Sequence, residues 1–216
     1  MIWVVPRLTS IITELGTELP LPTRMLIATS DFLQRWWYLL PFGVGGIAFA
    51  GRWYVRTAEG KAQFDALLLK LPILGDMFQK LYISRIAENL STLIKGGLPI
   101  IKALEVTGRV VGNTVYATLI AKSMEEVKAG NTISSVFQKS TALPLMVSQM
   151  IAVGERSGKL DSILASLSRF YTREVDQMTS NLTTLIEPII IVLLGGGVLV
   201  LVLSILLPIY NSVSSA

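Results

Sequence analysis

One stretch limits this chain more than any other: "PIIIVLLGGGVLVLVLSILLPIY", Pro188 to Tyr210. It holds 16 Ile, Leu and Val residues and no charged side chain. A helix of about 20 residues crosses a hydrocarbon core roughly 30 Å thick. At about −0.3 to −0.6 kcal/mol for each aliphatic residue, insertion is favoured by about 5 to 9 kcal/mol before Gly and Pro penalties. The stretch predicts a membrane span, 188–210. Composition agrees: 51% of the residues are apolar and 16% are charged, against about 25% charged in an ordinary soluble domain.

A second run, "WWYLLPFGVGGIAFAG", is also uncharged and lies between Arg35 and Arg52. Trp36, Trp37 and Tyr38 stand at one edge, and Trp53 and Tyr54 at the other. Aromatic rings at both edges with Arg outside them are interface anchors, so 36–56 is expected to be a first span. The segment before it carries Arg7, Arg24 and Arg35, and the tail after Tyr210 carries no Lys or Arg. The rest of the 19 basic residues lie between the spans, with Arg52, Arg56, Lys61, Arg169 and Arg173 close to them. Positive-inside bias places residues 57–187 in the cytoplasm. Residues 1–35 and 211–216 are then expected to face outward. "MIWVV" at the start reads like the remnant of an upstream apolar segment.

The region 57–187 is long enough for a core of its own and shows helical, not alternating, apolar spacing. Ile83, Ile86, Leu90, Leu93 and Ile94 share one face. Ile100, Ile101, Leu104 and Thr107 share another, and Val115, Leu119, Met124 and Val127 a third. Gly96-Gly97 closes a helix and Pro99 opens the next. "GNT" occurs at Gly112–Thr114 and at Gly130–Thr132, where Gly ends a helix and Asn or Thr caps its successor. Pro144 marks another start. The expectation is all-α: an antiparallel bundle of about six helices, flanked by two spans. Leu160, Leu164, Leu167, Tyr171, Met178, Leu182 and Leu185 form a near-heptad seam on the last helix. This helix is expected to continue into the second span through a kink at Glu187-Pro188. Two readings of the seam stay open: packing on its own bundle, or pairing with a second copy.

The chain contains no Cys and no His, which removes thiol and imidazole catalysis and Cys/His zinc sites. "VGERSGKLDSIL", Val153 to Leu164, resembles a phosphate-binding loop only superficially. Three residues, not four, separate Gly154 from Gly158, and Leu160 stands where a hydroxyl should meet magnesium. Gly158 is expected to close a helix, Asp161 to sit in the first turn of the next, and Glu155 and Arg156 to be surface or interhelix contacts. "GVGGIA" lies inside an uncharged span with no strand before it, so it is not a dinucleotide motif. Gly46 and Ala50 form a small-xxx-small pair for close helix approach, and Gly195, Gly196 and Gly197 suit the same use. Glu125 and Glu126 are adjacent and point to different faces, and neither uncharged run, 36–51 or 188–210, holds a charged residue. No catalytic, metal or cofactor residue is assigned, and no nucleic-acid binding is expected.

Four stretches together resemble the inner-membrane platform family of type II secretion systems and type IV pili. They are "VVPRLTSIITELGTELPLPTRMLIATSDFL", "LPILGDMFQKLYISRIAENLSTLIKGGLPIIKALE", "LPLMVSQMIAVGERSGKLDSILASLSRFY" and "LIEPIIIVLLGGG" with the closing "LLPIY". Many relatives carry Phe where this chain has Ile86. Relatives also have a further cytoplasmic domain and a first span upstream, so the chain is either a fragment or a half-length member completed in trans. The resemblance implies a non-enzymatic platform in the bacterial inner membrane. Its implied partners are a hexameric assembly ATPase, pilins or pseudopilins, other inner-membrane assembly proteins, membrane lipids and further copies of itself. It carries no catalytic residues to transfer. Gly96, Gly97, Pro99, Gly154, Glu155, Gly158, Glu187 and Pro188 are the structural and coupling candidates. A channel or carrier subunit and a membrane-bound enzyme are the alternatives.

Overall fold

The computed structural model describes residues 28, 31, 32, 35 and 39–214. Trp36, Trp37, Tyr38 and most of the expected outward segment 1–35 lie outside the described residues. Among the described residues, eight helices of defined bounds follow one another: α1 (Leu39–Val55), α2 (Ala58–Leu68), α3 (Leu74–Lys95), α4 (Ile100–Val110), α5 (Thr114–Lys128), α6 (Ile133–Phe137), α7 (Leu145–Ser157) and α8 (Leu160–Ser214). The described residues contain no strand, so the fold is all-α.

The chain divides into two compact units. One, Trp53–Leu182, is the helical bundle. The other combines the chain up to Arg52 with Thr183–Ala216. In the bundle, α4 packs on α3 and α5, α5 on α2 and α6, and α6 on α7. Ile83, Ile86 and Leu90 of α3, Leu104 of α4, Ile120 of α5, Val147 and Ile151 of α7, and Leu164 and Leu167 of α8 meet in one core. Burying each aliphatic side chain contributes about 1.5–3 kcal/mol.

Helix ends follow the punctuation read from the sequence. Gly97 takes φ +84° and Gly158 φ +67°, the left-handed region where a side chain is strained. The following amide then reaches back to the carbonyl five residues earlier: Leu98 N to Leu93 O at 3.0 Å, and Lys159 N to Gly154 O at 3.0 Å. Pro99 and Pro144 occupy the positions just before α4 and α7. The α2–α3 link has no glycine at its sharpest point. Ile73 stands at φ 67°, ψ −57°, with Leu74 N donating to Pro72 O at 2.8 Å. This is a γ-turn of the rarer, strained hand.

Two expected faces differ in detail. Ile101 is exposed, although Leu104 and Thr107 are buried. On α5 the deepest residues are Tyr116, Ile120 and Ser123, with only Leu119 of the expected set buried. Tyr116 tolerates full burial because its hydroxyl donates to Ala142 O at 3.0 Å, leaving no orphaned polar atom. The helix expected to end at Tyr210 continues to Ser214.

Candidate functional site

The helix that leaves the bundle is held at its base by a polar ladder on α3. Lys80 Nζ donates to Glu174 at 3.0 Å, Ser84 Oγ lies 2.7 Å from Thr172 Oγ1, and Ser91 Oγ donates to Asp161 O at 2.9 Å. Residue numbers rise on α3 as they fall on α8, so the two helices are antiparallel. Beside the ladder, Leu160, Leu164, Leu167 and Tyr171 are buried. The first half of the seam therefore packs on its own bundle. Met178 and Leu182 are half-buried and Leu185 is exposed, so the apolar spacing outlasts the core.

The Gly154–Gly158 corner joins α7 to α8. A Cβ at Gly154 would stand 3.1 Å from Leu160 Cα and 3.2 Å from Ile163 Cβ. Gly154 thus lets the two helices approach, and Gly158 lets the chain reverse. Glu155 is anchored to a different element. Its Oε1 accepts from Ile133 N at 2.6 Å and its Oε2 from Ser134 N at 3.2 Å. Thr132 Oγ1 accepts from Ser135 N at 3.3 Å. The first three amides of α6 are therefore satisfied, two by a carboxylate from another helix. Charge at a helix N-terminus is favoured by the partial positive charge of those amides. The corner is a structural clamp, and a helix, α7, precedes it where a phosphate loop needs a strand.

A parallel device fixes α5. Asn113 Oδ1 accepts from Val115 N and Tyr116 N, and Asp65 Oδ2 accepts from Thr114 N at 2.7 Å. Asp65 is buried on α2. The sequence suggested the Asn cap, but no local pattern linked Asp65 to a helix start far along the chain. Its one signal was a carboxylate beside the run Ala66–Leu69. Gln79 Nε2 and Tyr116 Oη both donate to Ala142 O, each at 3.0 Å. This ties α3 and α5 to the turn before α7.

The shifted ionisations at Lys80, Tyr116 and Tyr171 belong to side chains that hold the bundle together. The Asp76 carboxylate hydrogen-bonded to Lys80, with Glu174 adding to it, raises the Lys80 ammonium above its usual value. Burial pushes the Tyr116 phenol far up, and burial is also the main cause for Tyr171. Among the described residues no group of three His, Cys, Asp or Glu is placed to hold a metal ion.

The candidate residues fall in separate places. Gly96, Gly97 and Pro99 form the α3–α4 turn, and Gly154, Glu155 and Gly158 form the α7–α8 corner. Glu187 and Pro188 lie within α8, whose helix runs through them. A Cβ added at Gly46, Gly195, Gly196 or Gly197 would meet nothing within 4 Å. Ala50 is exposed.

The arrangement defines an all-α protein whose bundle is continued by a helix long and apolar enough to cross a membrane. The family profile described as type II secretion system (T2SS), protein F matches residues 86–208, and the chain belongs to that family. It is 36% identical over 213 residues to a type IV pilus assembly protein PilC of Thermus thermophilus, covering 98% of this chain and 52% of that protein. A PilC of Pseudomonas aeruginosa is 36% identical over 212 residues, 98% of this chain and 57% of its own length. A type II secretion system protein F of Aeromonas hydrophila is 32% identical over 208 residues, 95% of this chain and 53% of its own length. The chain spans about half the length of the curated relatives it matches.

Proposed function

We propose that this chain is part of an inner-membrane platform that couples a cytoplasmic assembly ATPase to the entry of pilin or pseudopilin subunits into a growing fibre. Family membership supports the setting. The observation that carries the mechanical reading is α8, one helix of 55 residues whose base is clamped to α3 and which carries no charged residue after Glu187. A continuous helix is a rod that rises about 1.5 Å per residue along a hydrogen-bonded backbone. A push or rotation applied to the bundle would be delivered along it into the bilayer.

In this reading α1 is a second span, residues 57–187 face the cytoplasm, and the intramembrane glycines give subunits a surface for passing contact. Pro188 is the joint, because proline withholds one N–H from the preceding turn and loosens the rod there. The bundle then binds the ATPase, and several copies assemble as the platform. The test uses the absence of native Cys. Single cysteines introduced between 57 and 187 should react with membrane-impermeant maleimide only after the inner membrane is opened, and the chain should retain an assembly ATPase in pull-down. Labelling of these positions from the outer side of intact membranes would falsify the coupling, because no cytoplasmic motor could then reach them.

A further inference from the structure

The corner between α1 and α2 is built more rigidly than a linker requires. Thr57 Oγ1 donates to Tyr54 O at 2.7 Å and accepts from Gly60 N at 3.1 Å. Tyr54 Oη donates to Gln63 Oε1 at 2.8 Å, which ties the second turn of α2 to the end of α1. Gly60 is buried where any side chain would strike the Tyr54 carbonyl. These contacts fix the depth of α2 relative to Trp53 and Tyr54.

Beyond the corner, α2 has two unlike faces. Asp65 turns inward to cap α5. Phe64 and Leu67, three residues apart and so on one side of the helix, are 46% and 60% exposed. Basic residues Arg52, Arg56, Lys61 and Lys70 surround this stretch, against Glu59 as its exposed acid. Trp53 is 70% exposed, as suits an aromatic ring at a bilayer edge. If Tyr54 lies at that edge, its bond to Gln63 brings the neighbouring Phe64 to the same level.

We propose that the Phe64–Leu67 face of α2 lies in the headgroup–acyl boundary of the bilayer, making α2 an interfacial helix that holds the bundle against the membrane. Two exposed apolar side chains one turn apart can enter that boundary, while the Lys and Arg stems around them extend to anionic headgroups. The proposal rests on reading α1 as a membrane span, and the test separates the two. Full-length single-Cys variants Ile47→Cys, Ala62→Cys, Phe64→Cys and Leu67→Cys are made in the Cys-free chain. Matched helical content is checked by circular dichroism. Each is labelled with a nitroxide and reconstituted into vesicles of phosphatidylethanolamine and phosphatidylglycerol. Collisions with oxygen report lipid and collisions with a nickel chelate report water. At positions 64 and 67 the oxygen-to-nickel ratio should exceed that at 62 several-fold and approach that at 47. Lipid at 47 with water at 64 and 67 overturns the interfacial helix and leaves the span intact. Water at 47 overturns the span, and the inference with it. Shielding of 64 and 67 from both reagents means that protein covers the face, and also overturns the proposal.

Discussion

Glu155 shows how much one side chain holds in place. It lies in a stretch that imitates a nucleotide motif, yet both its oxygens receive amides of α6. Hydrogen bonds to a charged group contribute about 1.5–3 kcal/mol net, and removing the acceptor leaves buried donors unmet. Glu155→Ala should therefore speed amide exchange across Ile133–Phe137 by about tenfold to a hundredfold, since each 1.4 kcal/mol is a factor of ten. Glu155→Gln keeps one carbonyl acceptor and should fall between. Unchanged exchange in the alanine variant would show that α6 is held by packing alone. Tyr116 gives a second residue-scale outcome. Its raised pKa means that the folded state resists an ionisation which the unfolded chain undergoes near the usual phenol value of about 10. Stability is then complete below that pH and is lost as pH rises toward the folded value. Lys80, raised from 10.5, and Tyr171 act in the same direction. The detergent-solubilised chain should lose melting temperature steeply above about pH 10. Tyr116→Phe should lessen that loss while costing about 1 kcal/mol near neutral pH. The neutral cost is small because Gln79 still donates to Ala142 O. An alkaline slope identical to that of the parent chain would contradict it.

At the scale of elements, helix ends were legible in the sequence because their causes are local. Gly97, Pro99, Asn113, Thr132, Pro144 and Gly158 all stand where the chain turns or a helix is capped. The face of α5 was less legible. Apolar periodicity ranks Val115 and Met124 above a phenol and a serine, and only the partner carbonyls make Tyr116 and Ser123 suitable for the core. Asp65 as a cap and the Lys80–Glu174 bridge were not legible, because those partners are far apart in sequence; the Asp76–Lys80 pair, four residues apart, follows helical spacing. The seam on α8 was read correctly in spacing, but where it leaves the bundle depends on the length of α3. Gly154 belongs to this scale, since it sets the distance between two helices. Adding a methyl there presses on Leu160 Cα, which is backbone and cannot rotate away. Overpacking of this kind costs about 1–3 kcal/mol. Gly154→Ala should lower the melting temperature by that equivalent while leaving helical content unchanged. Measured in an Ile163→Ala background, which lacks the crowding Cγ1, the loss caused by Gly154→Ala should be partly recovered. No recovery would mean that the backbone contact alone governs the approach.

At the scale of the whole molecule, every charged side chain that anchors α8 lies on the bundle side of Glu187, and none follows it. In the proposed platform the bundle then grips the rod below the membrane, and whatever moves in the bilayer is moved through Pro188. Two mechanical designs are possible for such a lever. In one, the helix is stiff throughout and the far end swings as the bundle turns. In the other, a soft point lets the apolar part keep its tilt among lipids while the base rotates. Placing proline at the transition, where alanine would give a fully bonded rod, favours the second. Pro188→Ala restores the missing donor and should stiffen the junction. Fibre assembly or secretion in cells carrying it should then fall, while membrane level and melting temperature match or exceed those of the parent. A drop in both protein level and assembly would trace to folding, so the two are measured together. Assembly at the parental rate with normal protein level would show that the rod needs no joint, leaving the stiff lever as the design.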